Sequence, residues 1–191
     1  MFGAVLGGGA DTDILRSLLA LLDRGFNVSG QFAWTGYKSM KNRDVLIDAI
    51  CRVYDNPAYK PKKDARGNLT TFCNFAVRDI CGSMTCHDFA RLIADQIYDL
   101  LVQSSGWQEI RMNQAQAKAN QGSLVVAAAR STQLKKAHGH VCVIRPGLEQ
   151  DSGKWGKVPS CINIGADNFI GKGINWAFSV QPKIFVWKKS L

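Results

Sequence analysis

Thr70-Thr71-Phe72-Cys73-Asn74-Phe75-Ala76-Val77 is the stretch whose reading decides the fold. It follows a loop marked by Gly67 and Asn68, and it sets a cysteine at the first turn of a helix expected to reach about Ile80, before the break at Gly82-Ser83. Unpaired amides and the dipole at a helix start favour an anion, so a thiol there ionises more readily than one in mid-helix. Phe72, Phe75 and Ala76 are its expected buried neighbours.

Downstream, a further helix is expected from about Cys86–Asp88, with Phe89, Leu92, Ile93, Ile97, Leu100 and Leu101 as its apolar stripe and a stop at Ser104-Ser105-Gly106. A short helix around Trp107, Ile110 and Met112 leads into a polar stretch ending at Gln121. After Gly122 the periodicity changes. Leu124-Val125-Val126-Ala127, Gly139 to Arg145, Ser160 to Ile164, Phe178 to Val180 and Ile184 to Trp187 are the expected strands. Upstream, Asp11-Thr12-Asp13 caps an expected helix bearing Ile14, Leu15, Leu18 and Leu22, a loop covers Ser29 to Tyr37, and a second helix runs from Asn42 to Tyr54. Helices first and strands afterwards give an α+β fold with an antiparallel sheet. The polar loop at 55–69 is the expected boundary, dividing a helical part at 1–60 from a part at 61–191 that carries the chemistry.

The chain has 191 residues and a formal net charge of +9, which suits an anionic partner such as nucleic acid or a cell-surface polymer. Its lysines are spread along the chain rather than gathered on one basic helix, which disfavours a dedicated nucleic-acid module. No apolar run has the length of a membrane span, and the opening Met1-Phe2-Gly3-Ala4-Val5-Leu6 lacks a basic leader, so folding in the cytoplasm is expected. The six cysteines have neither a disulfide-framework spacing nor a C-x-x-C knuckle, and no metal or cofactor is expected.

A nucleophilic thiol needs a base, and the histidines are His87, His138 and His140. Alternate residues of a strand share a face, so Val141 and Val143 are expected on the sheet's buried side, with His140, Cys142 and Ile144 turned toward the Cys73 helix. His140 is the preferred base and His138 a groove residue or second choice. A structural histidine on a strand is the competing reading of His140. The group that orients the imidazole is expected on the next strand as Asn163, with Asp167 and Asn168 as loop alternatives. An oxyanion would meet the Cys73 amide and a side chain just before it, Thr71 or Asn68. Trp155 and Trp176, in Gly-rich loops, are candidates for substrate contact, with core packing as the alternative. Asp95 and Asp99 read as solvated helix residues.

Phe72-Cys73-Asn74-Phe75-Ala76-Val77, then Gly122-Ser123-Leu124-Val125-Val126, then Gly139-His140-Val141-Cys142-Val143-Ile144 resemble, in that order, the motifs of CHAP and NlpC-type cysteine peptidases and amidases. Ser123 stands where an acidic residue is usual. The resemblance spans roughly residues 68–187 and implies a papain-like core, with the cysteine at the start of a helix packed on an antiparallel sheet. It also implies a cysteine hydrolase acting on peptidoglycan stem-peptide bonds or the muramoyl–alanine amide, of the kind found in phage endolysins, made in the host cytoplasm and reaching the wall on release. A monomer is expected. A bacterial antagonism effector, a transferase or deamidase of the same fold, and a non-enzymatic basic binding module are the competing readings.

Overall fold

The central element is a six-stranded antiparallel sheet covered on both faces. The computed structural model describes residues 30–188, apart from 64, 66 and 68, and side chains from residue 41 onward. The chain divides into two units, Met1–Lys38 and Ser39–Leu191. The helix expected around residues 14–22 lies outside the described residues.

The elements follow in order: α1 (Gly30–Asp55), a 3-10 turn (Pro57–Tyr59), a two-residue hairpin pair β1 (Lys62–Lys63) and β2 (Leu69–Thr70), α2 (Cys73–Ser83), α3 (Ala94–Gln103) and β3 (Trp107–Ile110). Then come α4 (Met112–Asn120), β4 (Val125–Ala129), the single turn α5 (Ser131–Leu134) and β5 (His140–Ile144). A hairpin of β6 (Gln150–Ser152) and β7 (Gly156–Val158) precedes β8 (Ser160–Asn163), β9 (Phe169–Gly173), a 3-10 turn (Ile174–Trp176) and β10 (Lys183–Trp187). The main sheet has the order β3-β10-β4-β5-β8-β9. The α+β class and the antiparallel sheet are as the sequence indicates.

Several boundaries differ from expectation. The segment from Ser29 to Tyr37, expected as a loop, is helical from Gly30 onward and continuous with the expected helix at Asn42–Tyr54. The long helix expected from about Cys86 begins only at Ala94, because Thr85 (φ 63°) and Arg91 (φ 62°) hold left-handed backbone that no α-helix accommodates. Phe89 still enters the core there, stacked on Trp107 with ring centroids 5.3 Å apart. Trp107–Ile110 is an edge strand rather than a helix. The polar stretch after it is the helix, α4. Phe178 to Val180 is not a strand.

Two-sided cover explains the apolar runs. On one face α2, α3 and the later part of α1 pack against Val126, Ala128, Val141, Val143, Ile162 and Phe185. On the other, α4 and the Ile174 turn meet Val125, Ala127, Cys142, Ile144, Cys161 and Ile184. Every residue of β4 is buried, as a strand enclosed on both sides requires. Leu46, Ala49, Ile50 and Val53 of α1 share the core that holds Cys73, so the loop at 55–69 runs within the Ser39–Leu191 unit.

The expected facing of β5 is reversed. Val141 and Val143 lie on the α2 side, whereas Cys142 and Ile144 lie on the α4 side, and His140, which alternates with Cys142, rests on Phe178 of that same α4-side core instead of turning toward the Cys73 helix face. With apolar cover on both faces, alternation of apolar and polar residues has nothing to report, and the assignment of a face from it fails.

Candidate active site

Cys73, Ala76, Val77, Ile80 and Cys81 are the buried residues of α2, spaced three and four apart along one stripe. That stripe seats the helix on the sheet and fixes where its first residue lies. The residue before the helix, Phe72, offers no side-chain cap. The helix start therefore keeps amide donors that a Ser, Thr or Asp cap would have engaged. The Cys73 sulfur faces its own amide, that of Asn74 and that of Val141 on β5. Burial pushes the Cys73 thiol up, and these three donors pull against it without cancelling it. The ladder joining β5 to β8 pairs Ile144 with Cys161 and Val143 with Ile162 and extends no further toward His140. On the other side, pairing with β4 continues to His140 opposite Ala129.

His140 stands one residue before Val141, at the start of β5. Its Nε2 lies 2.6 Å from Asn163 Oδ1 on the neighbouring strand. Asn163 Nδ2 donates to the Asp167 carbonyl at 2.7 Å, which fixes the amide with its oxygen toward the imidazole. An oxygen can only accept, so Nε2 carries the proton and Nδ1 of the neutral ring keeps its lone pair. Burial pulls the His140 pKa down; the Asn163 bond pulls it up, and Lys136 adds to the lowering. The ring is thus neutral at neutral pH and able to take a proton at Nδ1. It rests against Phe178, centroids 5.0 Å apart. Gly165 leaves the space beside it: a Cβ there would come within 3.4 Å of His140 Cε1 and 3.3 Å of Asn163 Nδ2.

Asp95 has a part that sequence reasoning missed. Its carboxylate, in the first turn of α3, accepts the amides of Ser131 at 2.8 Å and Gly139 at 3.1 Å. Burial raises Asp95, but those amides outweigh it and hold the carboxyl below its usual range. Rather than a solvated helix residue, Asp95 fastens α3 to both ends of the segment that leads into His140. Gly139 is demanded by the close approach: a Cβ would fall 2.9 Å from Asp95 Oδ1 and from the Ala129 carbonyl oxygen. The only advance signal was an acidic residue in the first turn of a helix, which fits many harmless roles.

Cys73 lines a depression with Leu69, Thr71, Phe75, Asp95 and His138. His140 and Asn163 line a second one with Leu69, Thr71, His138 and Trp176. Leu69, Thr71 and His138 belong to both, so the depressions share a rim. No hydrogen bond joins Cys73 to His140 among the described residues. Exposed His138 is thus a rim residue of both hollows. Trp176, 70% exposed, is a wall of the His140 hollow, with Lys172 Nζ 5.5 Å from its ring. Trp155 lines neither hollow and packs on the α4-side core. Of the alternatives to Asn163, Asp167 contributes a carbonyl to Asn163, and the Asn168 side chain accepts from Gly165 and donates to the Tyr59 carbonyl. Asn68 lies outside the described residues.

Of the six large apolar side chains left exposed among the described residues, four, Leu69, Phe75, Ile93 and Trp176, line these two hollows, while Val102 and Leu148 lie elsewhere. Exposed apolar surface gathered round a polar centre is the pattern of a binding groove. Chemically, the arrangement supplies a thiol with backbone donors around it, and a neutral imidazole with a defined proton position. Comparison with models of known protein families, with curated proteins and with solved structures finds no match to this chain.

Proposed function

We propose that the protein is a cysteine hydrolase that cleaves an amide bond of peptidoglycan, with Cys73 as nucleophile, His140 as base and Asn163 as the residue that orients it. The observation carrying the reading is the junction at Val141: its amide faces the Cys73 sulfur, and the residue before it is the histidine whose Nε2 engages Asn163.

The thiol proton passes to His140 Nδ1 as the sulfur attacks the carbonyl carbon of the substrate. Negative charge gathers on the carbonyl oxygen, and backbone donors at the start of α2 are the groups available to meet it. Collapse of the tetrahedral intermediate breaks the C–N bond. The amine leaves with the proton held by His140, and the acyl group stays on sulfur as a thioester. Water then attacks that thioester, giving its proton to His140, and the acid departs as the thiol is restored. A buried neutral thiol and a neutral imidazole suit general-base activation during attack better than a standing ion pair.

The choice of peptidoglycan rests on the ordered resemblance of three sequence motifs to wall-cleaving enzymes, together with a basic surface suited to an anionic wall. A phage lytic role fits best. A deamidase or transferase would use the same thioester chemistry on another substrate. The test is digestion of purified sacculi by the wild type, Cys73→Ala and His140→Ala, followed by turbidity and by mass spectrometry of the released muropeptides. The wild type is expected to clear sacculi and leave one kind of new amine and acid end, with both variants inactive. Intact sacculi after wild-type treatment, or equal clearing by Cys73→Ala, would overturn the reading.

A further inference from the structure

The groove does not end at the thiol. A third hollow is lined by Asn74, Phe75, Arg78, Arg91, Leu92 and Ile93, with Phe89. Asn74, Phe75 and Ile93 also line the Cys73 depression, so the two form one groove with a shared waist. Phe75 and Ile93, 43% and 56% exposed, give that waist an apolar surface. Asn74 is committed to structure, its Nδ2 donating to the Leu92 carbonyl at 3.0 Å.

Two guanidinium groups belong to this far arm. Arg78 lies with its Cζ 5.0 Å from the Phe75 ring centroid, and its Nε pairs with Asp79 Oδ1 at 2.6 Å. Asp79 is also bound by the Tyr59 hydroxyl, which holds it in place. Arg91 is exposed and has no hydrogen-bond or ion-pair partner among the described residues. No acidic residue lines this hollow. With Arg78 neutralised by Asp79, the arm carries one net positive charge, on a guanidinium whose fork matches a carboxylate.

We propose that this arm is a subsite for a carboxylate of the substrate, carried on a short apolar stem that crosses Phe75 and Ile93 and reaches Arg91, with Arg78 flanking it. The proposal rests on the reading of Cys73 as the nucleophile and adds a substrate class to it: an amide substrate bearing one free carboxylate near the scissile bond. A single net positive charge suits a carboxylate monoanion better than a phosphate dianion. That carboxylate can be an acidic side chain or a chain end, and both present the same planar pair of oxygens.

Binding to the full-length Cys73→Ala protein, read by calorimetry and by amide chemical shifts, tests the subsite without needing turnover. The probes are N-acetyl-alanyl-glutamate α-amide against its glutamine counterpart, and N-acetyl-alanyl-alanine against its C-terminal amide. The acid of at least one pair is expected to bind about tenfold more tightly than its neutral partner, with shifts at Phe75 and Arg91. The pair that discriminates identifies a side-chain or a chain-end carboxylate. Arg91→Asn, a residue comfortable in left-handed backbone, is expected to bring acid and amide to parity without loss of fold. Parity in both pairs, no measurable binding of any probe, or a preference unaltered by Arg91→Asn would overturn the proposal. Because Cys73 is absent from this assay, its failure leaves the hydrolase reading intact, and failed digestion of sacculi leaves this result standing.

Discussion

Cys73 at the start of α2 and Cys142 in the middle of β5 are almost equally closed to solvent, at 6% and 1% exposure. Burial pushes both thiols up. What separates them is their surroundings. Cys73 is met by three backbone amides and opens onto a groove with exposed apolar walls. Cys142 lies beneath α4, where its main polar neighbour is another thiol, Cys161, which pushes it further from ionisation. One region gives a nascent thiolate hydrogen-bond donors; the other gives it only apolar walls and a competing sulfur. On the proposed reading, donors and access rather than depth decide which thiol reacts.

The largest expected effect is on activity. Cys73→Ala is expected to lower the rate of sacculus digestion by about a thousandfold or more, while Cys142→Ala leaves it within about threefold. A comparable loss in both variants would dissolve the distinction between the two regions. Asn163→Ala is expected to lower the rate by about a hundredfold, through loss of imidazole orientation, with thermal stability little changed. Activity and melting temperature measured together check this, since a purely structural Asn163 would move both.

The next effect is on stability. Gly139→Ala forces a Cβ against Asp95 and the Ala129 carbonyl, and is expected to cost about 1–3 kcal/mol in denaturant unfolding. Cys142→Ala should cost only about 1 kcal/mol, from a small cavity.

The smallest effect concerns pH. Burial holds the His140 pKa below its unfolded value, so the unfolded chain binds more protons as pH falls through about 6.5. The contribution of the neutral ring is complete above that pH and is lost below it, toward the folded pKa. The wild type is thus expected to lose more stability than His140→Gln between about pH 7 and pH 5. Equal losses, followed by urea unfolding, would mean that the ring is not held neutral.

Much of this contrast was legible beforehand, and the illegible parts share a cause. The start of α2 could be read because Gly67 and Asn68 precede it and an apolar stripe follows. The pairing of His140 with Asn163 was accessible because neighbouring strands bring two polar residues to one end of the sheet. The facing of β5 was not, because cover on both faces erases the alternation that would mark a solvent side. Strand β9 escaped because Phe169–Gly173 contains two glycines and a lysine, a poor strand composition by local preference. The hairpin of β6 and β7 escaped for a like reason, in a polar stretch carrying Gly153 and Gly156. The segment from Cys86 to Ile93 imitated a helix because its apolar spacing is helical, while the left-handed residues Thr85 and Arg91 carry no signature in their side chains. Asp95 was named and then set aside, since its value lies in amides brought to it by distant segments.

The most direct test is to catch the acyl group on sulfur. The protein is mixed with soluble peptidoglycan fragments, quenched in acid during turnover, digested and mapped by mass spectrometry. A thioester adduct on the peptide containing Cys73, absent from those containing Cys142 and Cys161, is the predicted result. Continued cleavage of the fragments by Cys73→Ala, or turnover by the wild type with no adduct ever found on Cys73, would contradict it.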